Sequence, residues 1–386
     1  MSLSGIAELE RYERHFSSAL PKTPMGRFAS IILLRETKSY AIFTTEGGEQ
    51  QDVEQTQAGL TSSERVNRID RLVMFKRKQV APERRTGKAL LRQYGTFPYA
   101  IVTGGSRSPS VVYGADEIAK VQEEMKSRKD SKVEVQEDCY LIAGMCAHCV
   151  DCLVYGYAAV EGQGARKARV LTDSCFSVRP YPLVTERKKF NYIDEKEHTS
   201  GTITEFDHTR PHTFFPSVVT TVDLTLDEFV YVLNNLLRTL RYGKEVAHIG
   251  LMENHVLAIA FSDVELFSNL EFSQAFYDAF AANNTKKETS NVKDEDIQLE
   301  QESTPQTPAV EVKPVKMEEG LSLQDFLAHE EQVVKNLTTG LNGRLSLVRG
   351  NELKTILDQA RELNQNEERQ TNFLKELNRQ AASFVV

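Results

Sequence analysis

Residues Ser217 to Phe261 read as a strand, a helix and a second strand, the clearest local unit in the chain. Val218, Val219, Val222 and Leu224 suit an extended run. Thr225-Leu-Asp-Glu228 then has the form of a capping box, in which the Thr hydroxyl accepts from the Glu228 amide and the Glu carboxylate reaches back. Phe229, Val232, Leu233, Leu236, Leu237 and Leu240 recur at helical spacing and give one apolar face. Gly243 is a natural stop, and His255 to Phe261 supplies the returning strand.

Other strands are expected at Phe28–Leu34, Tyr40–Phe43, Tyr99–Val102, Leu153–Val160 and Arg169–Val178, with a helix from Ala115 to Arg128. A β-α-β unit embedded among strands indicates an α+β fold. A ferredoxin-like, RRM-like core enlarged by insertions fits best. The body is expected to span residues 1–280. Residues 281–319 are rich in acidic and polar residues without apolar periodicity and read as a flexible linker. Residues 320–386 read as a helical tail, Leu321–Val348 and Glu352–Phe384, appended to the body or docked on a partner.

The chain carries a net charge of −8, yet Arg65, Arg68, Arg71, Lys76, Arg77, Lys78, Arg84, Arg85, Lys88 and Arg92 face only Asp70 and Glu83 within the same stretch. A dense cationic block in an acidic protein marks a polyanion site, because each cation that neutralises a phosphate releases a counterion. The alternative is a solvated face balanced by acids elsewhere in the fold. Arg166-Lys167-Ala-Arg169 and Arg187-Lys-Lys189 are smaller basic groups that would extend a track or lie at the surface.

Four of the five cysteines cluster: Cys139, Cys146, Cys149 and Cys152. Four thiolates suit a tetrahedral structural zinc, with His148 as a substitute ligand, whereas ordinary buried thiols are the competing reading. An odd, clustered count does not suit a secreted disulfide scaffold. His198, His208 and His212 read as loop histidines, since Arg210-Pro211 and Phe215-Pro216 oppose a metal-binding helix. No phosphate-binding glycine motif and no nucleophile elbow occurs, and Gly162-Gln-Gly164 is only a turn. Acid pairs such as Glu197 or Glu205 with Asp207 lack supporting context. The aromatic signature of RNA-recognition strands is absent, with Tyr155-Gly-Tyr157 only a faint echo. No apolar run reaches membrane-spanning length and the charged N-terminus is no signal peptide, so a cytoplasmic, non-enzymatic binding protein is expected.

Several segments, in order, carry a family resemblance: Met74-Phe-Lys-Arg-Lys78 leading into Pro82-Glu-Arg-Arg-Thr-Gly87, Cys149-Val-Asp-Cys-Leu-Val-Tyr-Gly156, Arg169-Val-Leu-Thr-Asp-Ser-Cys-Phe-Ser177, Phe215-Pro-Ser-Val-Val219, and Leu236-Leu-Arg-Thr-Leu-Arg-Tyr-Gly243. The chain resembles the Cas-seven backbone subunit of CRISPR surveillance (Cascade) complexes, in its subtype I-D version, over residues 20–280. The resemblance implies an RRM-like core with insertions forming a lid, a helical part and a cysteine-rich zinc-binding part. It also implies copies stacked along one CRISPR guide RNA, with other Cascade subunits as partners, in antiviral defence. Each copy would grip guide phosphates and flip bases out with a thumb, and the guide would pair with target DNA.

On that resemblance Lys76, Arg77, Lys78, Arg84, Arg85, Lys88 and Arg92 are the expected RNA contacts, with Phe75 and Tyr94 as packing or stacking companions. Type III relatives cleave the paired strand with a loop Asp, and Asp52 stands in a comparable loop. Two other classes remain as alternatives. One is a zinc-stabilised nuclease or RNA-processing enzyme, and the other an interaction scaffold acting through the tail.

Overall fold

The computed structural model describes residues 2–45, 50–60, 67–94, 96–104, 110–127, 130–140, 145–158, 164–193, 199–244, 250–290, 317–341 and 344–384, without side chains at 189–193, 199–205 and 282–290. Arg65, the Gly-Gly-Ser-Arg loop beyond residue 104, Gly162, Glu197, His198 and residues 291–316 of the expected linker lie outside the described residues, as do the side chains of Lys189 and Glu205.

In chain order the strands are β1 (Phe28–Thr37), β2 (Val53–Gln57), β3 (Arg68–Met74), β4 (Tyr99–Gly104), β5 (Ser110–Tyr113), β6 (Ser131–Gln136), β7 (Tyr157–Ala158), β8 (Ala165–Arg166), β9 (Val170–Thr172), β10 (Cys175–Phe176), β11 (Thr185–Ile193), β12 (Thr199–Thr209), β13 (Phe214–Val222), β14 (Met252–Ser262) and β15 (Leu345–Val348). The helices are α1 (Ala7–Glu10), α2 (Lys76–Gln93), α3 (Ala115–Met125), α4 (Val150–Tyr155), α5 (Tyr181–Val184), α6 (Leu226–Arg238), α7 (Asn269–Ser290), α8 (Leu323–Leu337), α9 (Gly350–Gln365) and α10 (Glu367–Ser383). None of the described helices is long and apolar enough to cross a membrane.

A five-stranded sheet in the order β15-β14-β1-β13-β9 forms the centre. β1 lies between β13 and β14 and is antiparallel to both, so the expected strand–helix–strand unit is split by β1. Strand β1 is apolar on both sides because both are covered. Ile31 and Leu33 face one helical layer, with α6, α9 and α10, while Ile32 and Leu34 face α7 and α8. Burying each such side chain contributes about 1.5–3 kcal/mol. The Thr225–Glu228 capping box forms with both hydrogen bonds. α6 stops at Arg238, earlier than the apolar spacing suggests, and leaves Leu240 53% exposed.

The far end of the chain departs from the sequence reading. α7 continues to Ser290, ten residues into the expected linker. Leu345–Val348, expected as helix, is strand β15, paired with Ile259–Ser262 at the sheet edge. Leu353, Ile356, Leu363, Phe373, Leu374 and Leu377 join the same core as Ile31 and Phe229. Helices α8, α9 and α10 of the expected tail therefore complete both helical layers. A four-residue Leu-Ser-Leu-Val run has too little length for its period to separate strand from helix, and the open edge of β14 decided it. Three other strand expectations change. Tyr40–Phe43 makes only an isolated bridge, Ala41 with Thr209. Leu153–Val160 opens as α4, because Cys149 and Cys152 wrap one turn. Arg169–Val178 breaks into β9 and β10, which join different sheets.

Candidate nucleic-acid interface and thiol centre

Helix α2 carries most of the basic block, and its cations divide between two faces. Arg77, Lys78, Ala81, Pro82 and Arg85 follow helical spacing and line a recess of about 310 Å³, together with Gly243 and Lys244. The Arg77 guanidinium also donates to the Thr45 carbonyl. Among the described residues lining this recess, four are cationic and none is acidic.

Arg84, Lys88 and Arg92, at i, i+4 and i+8, turn the other way. Arg84 grips the fully buried Asp151 at 2.7 Å. Lys88 donates to the Cys139 carbonyl at 2.7 Å and lies 3.5 Å from Asp151. Arg92 pairs with Asp138 at 2.7 Å. Each of these three expected RNA contacts therefore has a carboxylate within 2.7–3.5 Å, which competes with a phosphate for its charge. Burial alone would lower the pKa of Arg84 and Lys88, but the Asp151 carboxylate, joined at Lys88 by Cys139, Cys149 and Cys152, raises both. Lys76 stands apart, at a separate hollow of about 440 Å³ between Leu171–Asp173 and the start of α7. Arg71 is buried and donates to the carbonyls of Ala58, Ser177 and Val178, a purely structural place.

What fixes α2 is a buried polar network. Glu83, on the inward side of α2, pairs with Arg35 of β1 at 2.9 Å and accepts from the Tyr242 hydroxyl at 3.2 Å. Asn254 of β14 donates to that hydroxyl at 2.7 Å. Gly87 permits close approach to α6, since a Cβ there would meet the Tyr231 hydroxyl at 2.4 Å. Phe75 is half-buried at the α2 N-cap, and Tyr94 lies in the core, so Tyr94 is not a stacking platform.

Behind α2 the four cysteines come together as the sequence led us to expect. Their Sγ atoms lie within 4.8 Å of one another and all four residues are buried. Cys139–Cys152 is 3.4 Å, Cys146–Cys152 3.9 Å and Cys139–Cys149 3.9 Å. A tetrahedral ion with thiolate bonds of about 2.3 Å places its sulfurs about 3.8 Å apart, so the set fits a bound metal. Backbone amides of Cys146, Cys149 and Cys152 donate to Cys139, Cys146 and Cys149 sulfurs respectively, which orients the ligands. Hydrogen bonds from the other three thiols, with the Lys88 ammonium, lower the Cys139 pKa. His148 is not in the group. Its amide donates to Cys146 Sγ, while burial lowers its imidazole pKa. With four protein ligands no position is left for substrate, so an ion here would brace the β5-β4-β6 sheet and α4.

The remaining candidates take structural places. His208 is buried in β12, unlike the loop histidine expected, and His212 reaches Glu36 at 2.7 Å. Asp207 holds Arg187 at 3.1 Å and accepts from Tyr181. Arg169 donates to the Pro21 carbonyl, and Arg166 lies over the Phe384 ring. Asp52 Oδ1 accepts from the Thr45 hydroxyl at 2.7 Å, and the carbonyl of the same Thr45 accepts from Arg77. Sequence reasoning missed Lys244. Its only signal was its place directly after Gly243, at the end of the Leu236–Gly243 segment.

A family model described as Csc2 Crispr matches residues 15–339. No curated protein sequence matches the chain. Among solved structures, the crystal structure of Thermofilum pendens Csc2 is 18% identical, with 98% of each chain covered and a TM-score of 0.49. A pre-nicking CRISPR RNA-guided surveillance complex contains a chain 13% identical, covering 69% of this chain and 89% of that one, with a TM-score of 0.38. A further CRISPR RNA-guided surveillance complex gives 12%, 69%, 84% and 0.36 for the same quantities. On the family match, which spans most of the sequence, this chain belongs to the Csc2 CRISPR family.

Proposed function

We propose that the protein is a guide-RNA-binding backbone subunit of a type I-D CRISPR surveillance complex. Copies oligomerise along the guide, beside other Cascade subunits in the cytoplasm, and support pairing of the guide with target DNA. The central sheet with its split strand–helix–strand unit is then an RRM-like core, and the β5-β4-β6 sheet with α4 an inserted part braced by zinc on Cys139, Cys146, Cys149 and Cys152. The observation that carries this reading is the recess of Arg77, Lys78, Arg85 and Lys244 in a member of the Csc2 family. Convergent cations on an anchored helix suit a phosphate backbone read by shape and charge.

The test is RNA retention. Purified protein should carry RNA protected in evenly stepped lengths. Changing Arg77, Lys78 and Arg85 together to Glu should remove that RNA while the melting temperature holds. Unchanged RNA affinity in a folded triple variant sinks the proposal.

We take the protein to be non-catalytic. A second reading, cleavage of the paired strand by Asp52, is favoured by one observation: its Oδ2 is buried without a hydrogen-bond partner among the described residues, while its Oδ1 holds Thr45, the residue that Arg77 of the recess also contacts. Metal-dependent cleavage of a guide-paired strand, lost on Asp52→Ala with binding intact, would select that reading.

A further inference from the structure

Lys244 belongs to two groups at once. It lines the recess on α2, and its ammonium rests over the Phe206 ring, 4.5 Å from the centroid. Its backbone is fixed. Gly243 has φ +94°, a Cβ there would meet the Ile42 carbonyl at 2.6 Å, and the Lys244 amide donates to that carbonyl at 2.8 Å. Phe206 stands directly opposite Lys188 in the β11–β12 ladder, so the two project from one face. The Lys188 ammonium sits 3.0 Å over the Tyr40 ring. Tyr40 meets His208 edge-on at 6.2 Å, and His208, two residues beyond Phe206, shares that face. Cations and rings thus alternate from α2, across the 243–244 turn, to the root of the hairpin.

We propose that this succession is a track for the backbone of a single-stranded polynucleotide, entering at the α2 recess and passing Lys244 and Phe206 to Lys188 and Tyr40. The inference rests on the guide-binding reading and adds a path that the basic block alone does not give. Its physical basis is how the lysines are held. A carboxylate that positions a cation also neutralises it, as Asp151 does to Arg84. A ring face positions an ammonium through its quadrupole and leaves the full charge for a phosphate. Among the described residues Lys188 and Lys244 are held by rings, with no carboxylate pair. Rings spaced among cations favour an unpaired strand, whose bases are free to meet them.

The experiment is a salt series with the full chain and a labelled oligouridylate, read by anisotropy. Lys244→Ala and Lys188→Ala should each weaken binding and flatten the slope of log affinity against log salt by about 0.7. Lys244→Arg should restore the slope. Phe206→Ala, which loosens Lys244 without removing charge, should weaken binding with the slope kept. Wild-type slopes in both alanine variants, with wild-type protein binding RNA, overturn the track and leave guide binding through α2 standing. Equal, lysine-dependent affinity for a blunt duplex of the same length overturns its single-strand character. A wild-type protein indifferent to the RNA removes the guide-binding reading, and the track with it.

Discussion

Arg35 and Glu83 form an ion pair at 2.9 Å with side chains only 0% and 2% exposed, and this pair ties the basic helix α2 to the middle strand of the central sheet. Burial alone would lower the Arg35 pKa, but the Glu83 carboxylate, together with Tyr242 and Cys175, raises it. Glu83→Gln leaves a buried guanidinium without its counter-charge. We expect a loss of about 3–5 kcal/mol, read as a lower denaturant midpoint. A double change to apolar residues of similar volume should recover much of that loss.

Arg84→Gln separates stability from binding. It leaves the fully buried Asp151 with Lys88 at 3.5 Å in place of the closer guanidinium and should lower stability by up to about 3 kcal/mol. Its RNA-binding salt slope should stay at the wild-type value, because Asp151 already neutralises this charge. A shallower slope in Arg84→Gln would return Arg84 to the nucleic-acid interface.

Glu228 predicts a pH dependence. Burial, partly opposed by hydrogen bonds from Thr225 and by Arg169, pushes its carboxyl from 4.5 up to about 7. Between those values the folded protein keeps a proton that the unfolded chain has released. Its contribution of about 3 kcal/mol is therefore complete below pH 4.5 and is lost as pH rises through 7. Glu228→Gln retains an acceptor for the Thr225 amide, so denaturation curves across this window should flatten in the variant alone.

The thiol centre predicts bound metal at about one zinc per chain, with four sulfur ligands by X-ray absorption. Chelation or Cys149→Ser should lower the melting temperature and free Lys88 from the Cys139 carbonyl. Metal-free protein with an unchanged melting transition after gentle purification would remove the structural role.

Truncation after residue 319 should give insoluble or unfolded protein, because it uncovers β14 and strips Leu353, Ile356, Phe373 and Leu377 from the core. Soluble yield and circular dichroism of the shortened chain check this. A well-folded product would restore the picture of a detachable tail.

The strand–helix–strand unit was legible because capping and apolar period are local, and α6 starts where Thr225 and Glu228 say it should. The cysteine group was legible because its ligands fall within fourteen residues of chain, from Cys139 to Cys152, and wrap one centre. The basic block was visible as charge, yet charge along a sequence does not reveal which cations meet a carboxylate. Asp151 lies 67 positions beyond Arg84, and no local pattern connects them.

The sequence by itself determined the local elements, the α+β class and the clustering of cations and thiols, since these depend on neighbours within a few turns or strands. Tertiary structure alone decided that Arg84, Lys88 and Arg92 meet carboxylates, that Lys244 joins Arg77, Lys78 and Arg85, and that Leu345–Val348 complete the sheet. Each of those outcomes is a contact between distant segments, set by which partner removes the most apolar surface or satisfies a buried charge, and only the folded chain fixes that competition.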